Sequence, residues 1–194
     1  SDLIVRDSSV YKAAPGTVFG PYNEGAYFKV YKLQGTESIA DSARVRHILI
    51  GTSDPQSQQV KRSKERAKAI ADSLLVLLQK KQVSFDTLVV RMSDDPGSKQ
   101  INPDAKVFAL GDYGWFNETT GFVDPFKFTG LKGKKGDLKV VETQFGYHII
   151  EVLNVSSGQH KTYTIAQLFK PIQPSETTQQ NIYARAFQFS SENN

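Results

Sequence analysis

The sequence predicts a mixed α/β fold, and three features carry that prediction. Residues 44–50 (RVRHILI) and 147–153 (YHIIEVL) are β-branched and aromatic runs bounded by turn residues, as strands are. From Ala67 the apolar positions Ile70, Ala71, Leu74 and Leu78 recur three or four apart, the spacing of one helix face, while Lys64, Lys68 and Asp72 face away. Val140 and Val141 lie just before Gly146, so 147–153 reads as the closing strand of a hairpin.

The remaining elements follow in order. Residues 1–33 read as short extended pieces punctuated by Ala14-Pro15-Gly16 and Gly20-Pro21, with a strand at 26–33 (AYFKVYKL). Residues 34–42 are polar and read as a linker. Gly51 and Asp54-Pro55 close the 44–50 strand. Ser84 is placed to cap a second, shorter helix that turns Phe85, Leu88 and Val89 inward. Ser93-Asp94-Asp95-Pro96-Gly97 has the composition of a turn, and 100–105 around Pro103 that of a loop. Residues 111–116 (GDYGWF) form a short glycine-punctuated segment. A helical stretch within 122–131 opens at Asp124-Pro125, where proline is tolerated in the first turn. After Ser156-Ser157-Gly158 come a strand at 163–169 and a helix capped by Ser175 that carries Ile182, Ala186 and Phe189.

Composition narrows the function. The 194 residues are 39% hydrophobic and 23% charged, enough to bury a core. A net charge of +4, evenly scattered, gives no footprint for nucleic acid. The absence of cysteine excludes a disulfide scaffold, a zinc–thiolate site and a cysteine nucleophile. The longest aliphatic run, 74–78, is far too short to span a bilayer, and Ser1-Asp2-Leu3-Ile4 has no signal-peptide character. Both ends are expected to continue into a longer protein.

Residues 14–33 align without gaps on 134–153, matching Gly16 with Gly136, Tyr27 with Tyr147 and Leu33 with Leu153. Phe28 then falls opposite His148, so a preceding sister module would lack that histidine.

The histidines carry most of the chemistry. Alternation puts His47 on one face with Val45 and Leu49, and His148 with Ile150 and Val152. A strand histidine taken singly is usually a satisfied core residue. Two of them, on strands that would be neighbours if the sheet closes on itself, point to a shared site. His160 lies in an unpatterned polar segment and reads as solvated. Two distant histidines, no cysteine and no His-Glu-x-x-His spacing argue against zinc, and Asp94 and Asp95 read as turn acids. No Gly-x-Ser-x-Gly elbow or phosphate loop exists. The cluster Lys61, Arg62, Lys64, Arg66 and Lys68 reads as a solvated face.

Five motifs in order, over about 43–155, resemble the parvulin-type peptidyl-prolyl isomerases. They are Arg44-Val45-Arg46-His47-Ile48-Leu49-Ile50, Ser93-Asp94-Asp95, Gly111-Asp112-Tyr113-Gly114-Trp115-Phe116, Pro125-Phe126, and Thr143-Gln144-Phe145-Gly146-Tyr147-His148-Ile149-Ile150. Two departures stand out. Leu110 and Tyr113 replace a glycine and a leucine that are common in the family, and 100–109 reads as an insertion beside the expected groove.

The resemblance implies a parvulin/FKBP-like fold: a small, mainly antiparallel sheet covered by helices, within 43–155. The flanking pieces resemble the multi-module envelope folding factors of the SurA and PpiD type. They imply an extended arm at 1–42, the tail of a degenerate sister module, and a strand–helix arm at 156–194 leading into a following one. By the same resemblance His47 and His148 are the paired histidines, Asp95 the acid of the network and Thr143 the threonine that bonds a histidine. Tyr113, Phe122 and Phe126 would line a proline pocket, with Phe145 at its rim or in packing. The implied activity is rotation of X-Pro bonds in unfolded or partly folded proline-containing polypeptides, in the periplasm or cell envelope. It needs no cofactor, metal or nucleic acid, and membrane contact would come only through segments outside this chain. The rival is a non-catalytic chaperone module of the same fold that holds extended polypeptides.

Overall fold

The computed structural model describes residues 8–53, 59–101 and 109–192. Asp54-Pro55 and most of the expected insertion at 100–109 therefore lie outside the described residues, as do Ser1 to Ile4. The chain divides into two compact units, Ser38–Lys161 and, together, Ser1–Glu37 with Thr162–Asn194.

Ser38–Lys161 holds the site. Its sheet has four strands in the order β4-β3-β6-β5, all pairs antiparallel: β3 (Ala43–Gly51), β4 (Asp112–Phe116), β5 (Leu138–Thr143) and β6 (Gly146–Val155). The two histidine strands are the central pair, with His47 opposite Ile150 and Leu49 opposite His148. Adjacency thus comes from β3 sitting beside β6 in an open strand order, and sheet closure is not required. GDYGWF is itself strand β4, paired with β3.

Antiparallel partners share a face, so β3 and β6 divide their residues cleanly. Ile48, Ile50, Tyr147 and Ile149 pack under α1 (Lys64–Gln79) and α2 (Phe85–Met92), against Ala67, Ala71, Leu74, Leu78, Phe85, Leu88 and Val89. The predicted period built α1, and Ser84 caps α2 by accepting the Thr87 N–H. On the opposite face Val45, Ile150 and Val152 pack with Phe116, Phe126 and Leu131, the last two from the short helix α3 (Asp124–Leu131). Pro125 sits in the first turn of α3, where its missing N–H costs nothing.

In the other unit, β1 (Val18–Glu24) pairs with β2 (Tyr27–Ala40), and β2 with β7 (Gln159–Pro171). The expected linker at 34–42 is strand as far as Ala40, because backbone pairing with neighbours, rather than apolar pattern, defines it. Val10, Phe19, Tyr31 and Leu33 form a small core there. Helix α4 (Glu176–Glu192) begins where Ser175 accepts the Thr178 N–H, and none of its residues is buried. In the aligned segments 14–33 and 134–153 a glycine N–H before each hairpin reaches the returning strand. Gly16 donates to Leu33 O at 2.6 Å and Gly136 to Val152 O at 2.8 Å, so the returning strands are offset by one residue from the gapless alignment.

Candidate active site

His47 and His148 lie on the face that, among the described helices, α3 covers, and both are buried. Their rings stack at 5.2 Å with 17° between planes, and Nδ1 of one is 3.0 Å from Nδ1 of the other. At the far ends, His47 Nε2 is 2.8 Å from Asp95 Oδ2 and His148 Nε2 is 2.9 Å from Thr143 Oγ1. Four side chains from three strands and one loop thus form a single chain of hydrogen bonds.

Proton positions follow from that chain and are assigned from it. Partial burial works to raise the Asp95 pKa, but hydrogen bonds from His47 and Tyr113 outweigh it and hold the carboxyl at about 2. Burial, then the nearby His47, pushes His148 down to about 3, so it is neutral at pH 7. With both rings neutral, His47 Nε2–H donates to Asp95, His148 Nδ1–H donates to His47 Nδ1, and Thr143 O–H donates to His148 Nε2. A proton added at His47 Nδ1 would reverse the run. His148 Nε2–H would then donate to Thr143, whose hydroxyl can turn to Gly146 O at 3.5 Å. Either direction leaves every ring nitrogen with a partner.

The backbone around this chain is held closely. His47 N–H donates to Gly111 O at 2.9 Å, and a Cβ on Gly111 would lie 2.6 Å from His47 O. With φ at +80°, that position needs glycine on both counts. Ser93 Oγ accepts the N–H groups of Leu49 and Asp95, while Ser98 Oγ donates to Asp95 O. This pins the acid loop to the end of β3. The sequence reading missed Ser98, since nothing local distinguishes a loop serine that buries its hydroxyl.

Beside the histidines lies a cleft of about 750 Å³. Phe126, only 4% exposed, forms its floor, with ring centroids 5.1 Å from His47 and 5.5 Å from His148. Phe122 packs edge-on against Phe126 at 5.3 Å, and Tyr113 stands 6.1 Å from Phe122. Phe145, in the β5–β6 turn, is half exposed at the rim. Of the eight residues singled out in the sequence, seven therefore line this cleft and Thr143 stands behind His148, while Leu49, Ser53, Pro96 and Gln144 join the lining.

Other expectations change. Lys61 and Arg62 are not simply solvated: both pair with Asp94, which also accepts the Gly51 N–H. Asp94 is thereby used to fasten the chain before α1, and Asp95 alone faces the cleft. His160 is also engaged, with Nδ1 2.8 Å from Asp41 and Nε2 2.9 Å from Glu118. Hydrogen bonds to Asp41 and then Glu118 raise its pKa. Its partners lie far off in sequence, so no local pattern could reveal them.

The sequence profile of the PPIC-type PPIase domain matches residues 28–156, about two thirds of the chain. The chain belongs to this family. Among relatives of this PPIC-type PPIase chain, the chaperone SurA of Pseudoalteromonas translucida is 29% identical over 144 residues, covering 72% of this chain and 30% of its own. A probable parvulin-type peptidyl-prolyl cis-trans isomerase of Bordetella bronchiseptica is 39% identical over 84 residues, covering 42% of this chain and 29% of its own. The peptidyl-prolyl isomerase ESS1 of Candida albicans aligns over 58% of this chain and 62% of its own, at 22% identity and a TM-score of 0.47. The chain spans about 30% of the length of the curated relatives it matches.

Proposed function

We propose that this chain catalyses cis–trans isomerisation of X-Pro bonds in unfolded or partly folded polypeptides of the cell envelope. The observation that carries the reading is the juxtaposition of the Asp95–His47–His148–Thr143 chain with a cleft walled by Tyr113, Phe122 and Phe126. Relatives named as chaperones and as a parvulin-type isomerase support the client class and the activity.

The reaction breaks no bond. Its barrier of about 18–20 kcal/mol reflects amide resonance lost at the twisted midpoint, so the site must favour that form over both planar ones. Aromatic walls take a prolyl ring and its amide out of water. The twisted amide, having lost its dipolar resonance form, suffers less from that transfer than the planar one. The fixed hydrogen-bond chain places polar groups at one edge of the cleft, where the carbonyl and nitrogen change character on twisting. Thr143 and His148 act behind His47, holding its ring.

We assign this activity to Ser38–Lys161, which contains every one of these side chains. We also read 1–42 as the tail of a sister module without the second histidine: the gapless alignment sets Phe28 opposite His148, and the register counted from each hairpin turn sets Lys29 there. A protease-coupled assay on a panel of X-Pro peptides tests the proposal. Acceleration that persists in excess chelator, in the whole chain and in a 38–161 fragment, is expected. A folded sample no faster than a serum albumin control would overturn the enzyme reading in favour of a module that only holds extended chains.

A further inference from the structure

We infer that Tyr113 is a positioning residue of this site: its hydroxyl holds the Asp95 carboxylate against His47, and Gly97 is glycine to leave that hydroxyl room. The inference rests on the isomerase reading for its kinetic part only.

Asp95 Oδ2 receives two donors from different strands, His47 Nε2–H from β3 and Tyr113 O–H from β4, each at 2.8 Å. Oδ1 receives the Gly97 N–H at 2.9 Å. The carboxylate is therefore gripped from three sides and its plane is fixed. A cleft wall needs only an apolar ring, which phenylalanine or leucine would supply. The hydroxyl is surplus to that task, and Tyr113 is 42% exposed, so water could have satisfied it. It meets the carboxylate instead. Because a tyrosine ring has only two side-chain torsions, tethering its oxygen also sets the ring, which stands edge-on to His47 at 5.4 Å. Wall and carboxylate thus move as one piece.

Gly97 provides the independent observation. A Cβ there would lie 2.3 Å from the Tyr113 hydroxyl oxygen and 3.4 Å from Asp95 Oδ1. Gly97 is not among the glycines with positive φ, so its backbone does not demand glycine. What it supplies is space, at the one point where the hydroxyl reaches the acid. The charged and titratable groups facing Asp95 are His47 from β3, with His148 behind it from β6, and Tyr113 from β4. Asp94, next in the chain, is turned to Lys61 and Arg62.

Two substitutions test the tether from opposite ends. Tyr113→Phe removes only the oxygen. Gly97→Ala leaves Tyr113 intact but puts a methyl where the hydroxyl lies, and the tyrosine's far end can swing aside without unfolding the protein. Gly35→Ala, whose Cβ would meet nothing within 4 Å, is the control. The readouts are the Asp95 carboxyl carbon shift by NMR between pH 7 and 3, and kcat and KM separately on one X-Pro peptide. In wild type and control, Asp95 should stay ionised across most of that range. In both variants it should begin to protonate, its midpoint moving up by about one pH unit because a donor to the charged form is lost. Tyr113→Phe should lower kcat a few-fold with KM held, while Gly97→Ala, which also displaces the ring, should raise KM too. Unchanged Asp95 titration in both variants overturns the tether, as does an unchanged kcat when that titration moves. A wild-type chain with no isomerase activity would sink the isomerase reading, and the titration would still decide the tether.

Discussion

The two faces of the central strand pair are made from alternate residues of the same two segments, yet they have become different materials. Ile48, Ile50, Tyr147 and Ile149 lie under two helices in a sealed apolar core. One residue along, His47 and His148 share their face with Val45, Ile150 and Val152 under a single short helix, and the uncovered part is the cleft. The difference teaches that coverage, as much as residue type, separates stability from chemistry. Two helices exclude water and leave only packing. One eight-residue helix leaves a half-dry space in which a fixed hydrogen-bond chain can meet a ligand.

The sharpest way to break this contrast is Phe126→Ala, because Phe126 belongs to both materials. It is buried, and it also floors the cleft against both imidazoles. Stability should fall by about 3–5 kcal/mol, as for a large core truncation. In addition, kcat/KM per folded molecule should fall at least about tenfold, worth about 1.4 kcal/mol of transition-state binding. Urea midpoints and kinetics well below melting measure both. Wild-type kcat/KM per folded molecule would remove Phe126 from the site.

Next in size is Leu74→Ala on the sealed face, where only stability is at stake. A loss of about 2–5 kcal/mol is expected with near-normal kcat/KM while the protein remains folded. A matching loss of activity would mean that the two faces are not energetically separate.

Acid should act on the histidine face. Folding lowers the His148 pKa from 6.5 to about 3, so the unfolded chain binds that proton more readily. Its contribution to stability is complete above about pH 6.5 and is lost as pH falls towards 3. Asp95 adds a loss in the same direction, since its pKa is lowered from 3.8 to about 2. Urea midpoints should therefore decline from pH 7 to pH 4, and His148→Phe should flatten that decline. An equal slope in the variant would place the titrating group elsewhere.

The smallest effect belongs to the solvent side of α1. Lys68 and Asp72 form an exposed i,i+4 pair, so Lys68→Ala should cost under about 0.5 kcal/mol and leave kcat/KM unchanged. A larger loss would show that the outer surface of the sealed layer also matters.

Much of this was readable locally. The period of α1, the Ser84 and Ser175 caps, the Asp124-Pro125 opening of α3 and the alternation of His47 and His148 are decided within a turn or two of chain. Backbone geometry and one side chain's reach suffice there. The family motifs then placed Asp95 and Thr143 with the histidines. The fold decided the rest. Strand β2 extends through a polar segment because neighbours offer it backbone partners. Lys61 and Arg62 close on Asp94, and His160 bridges Asp41 and Glu118. Tyr113 reaches Asp95 across 18 residues of chain. Those contacts depend on register and on which loop packs over which strand end. A single-residue slip would turn every side chain of a strand to the other face, and no local pattern in one strand specifies its partner's register.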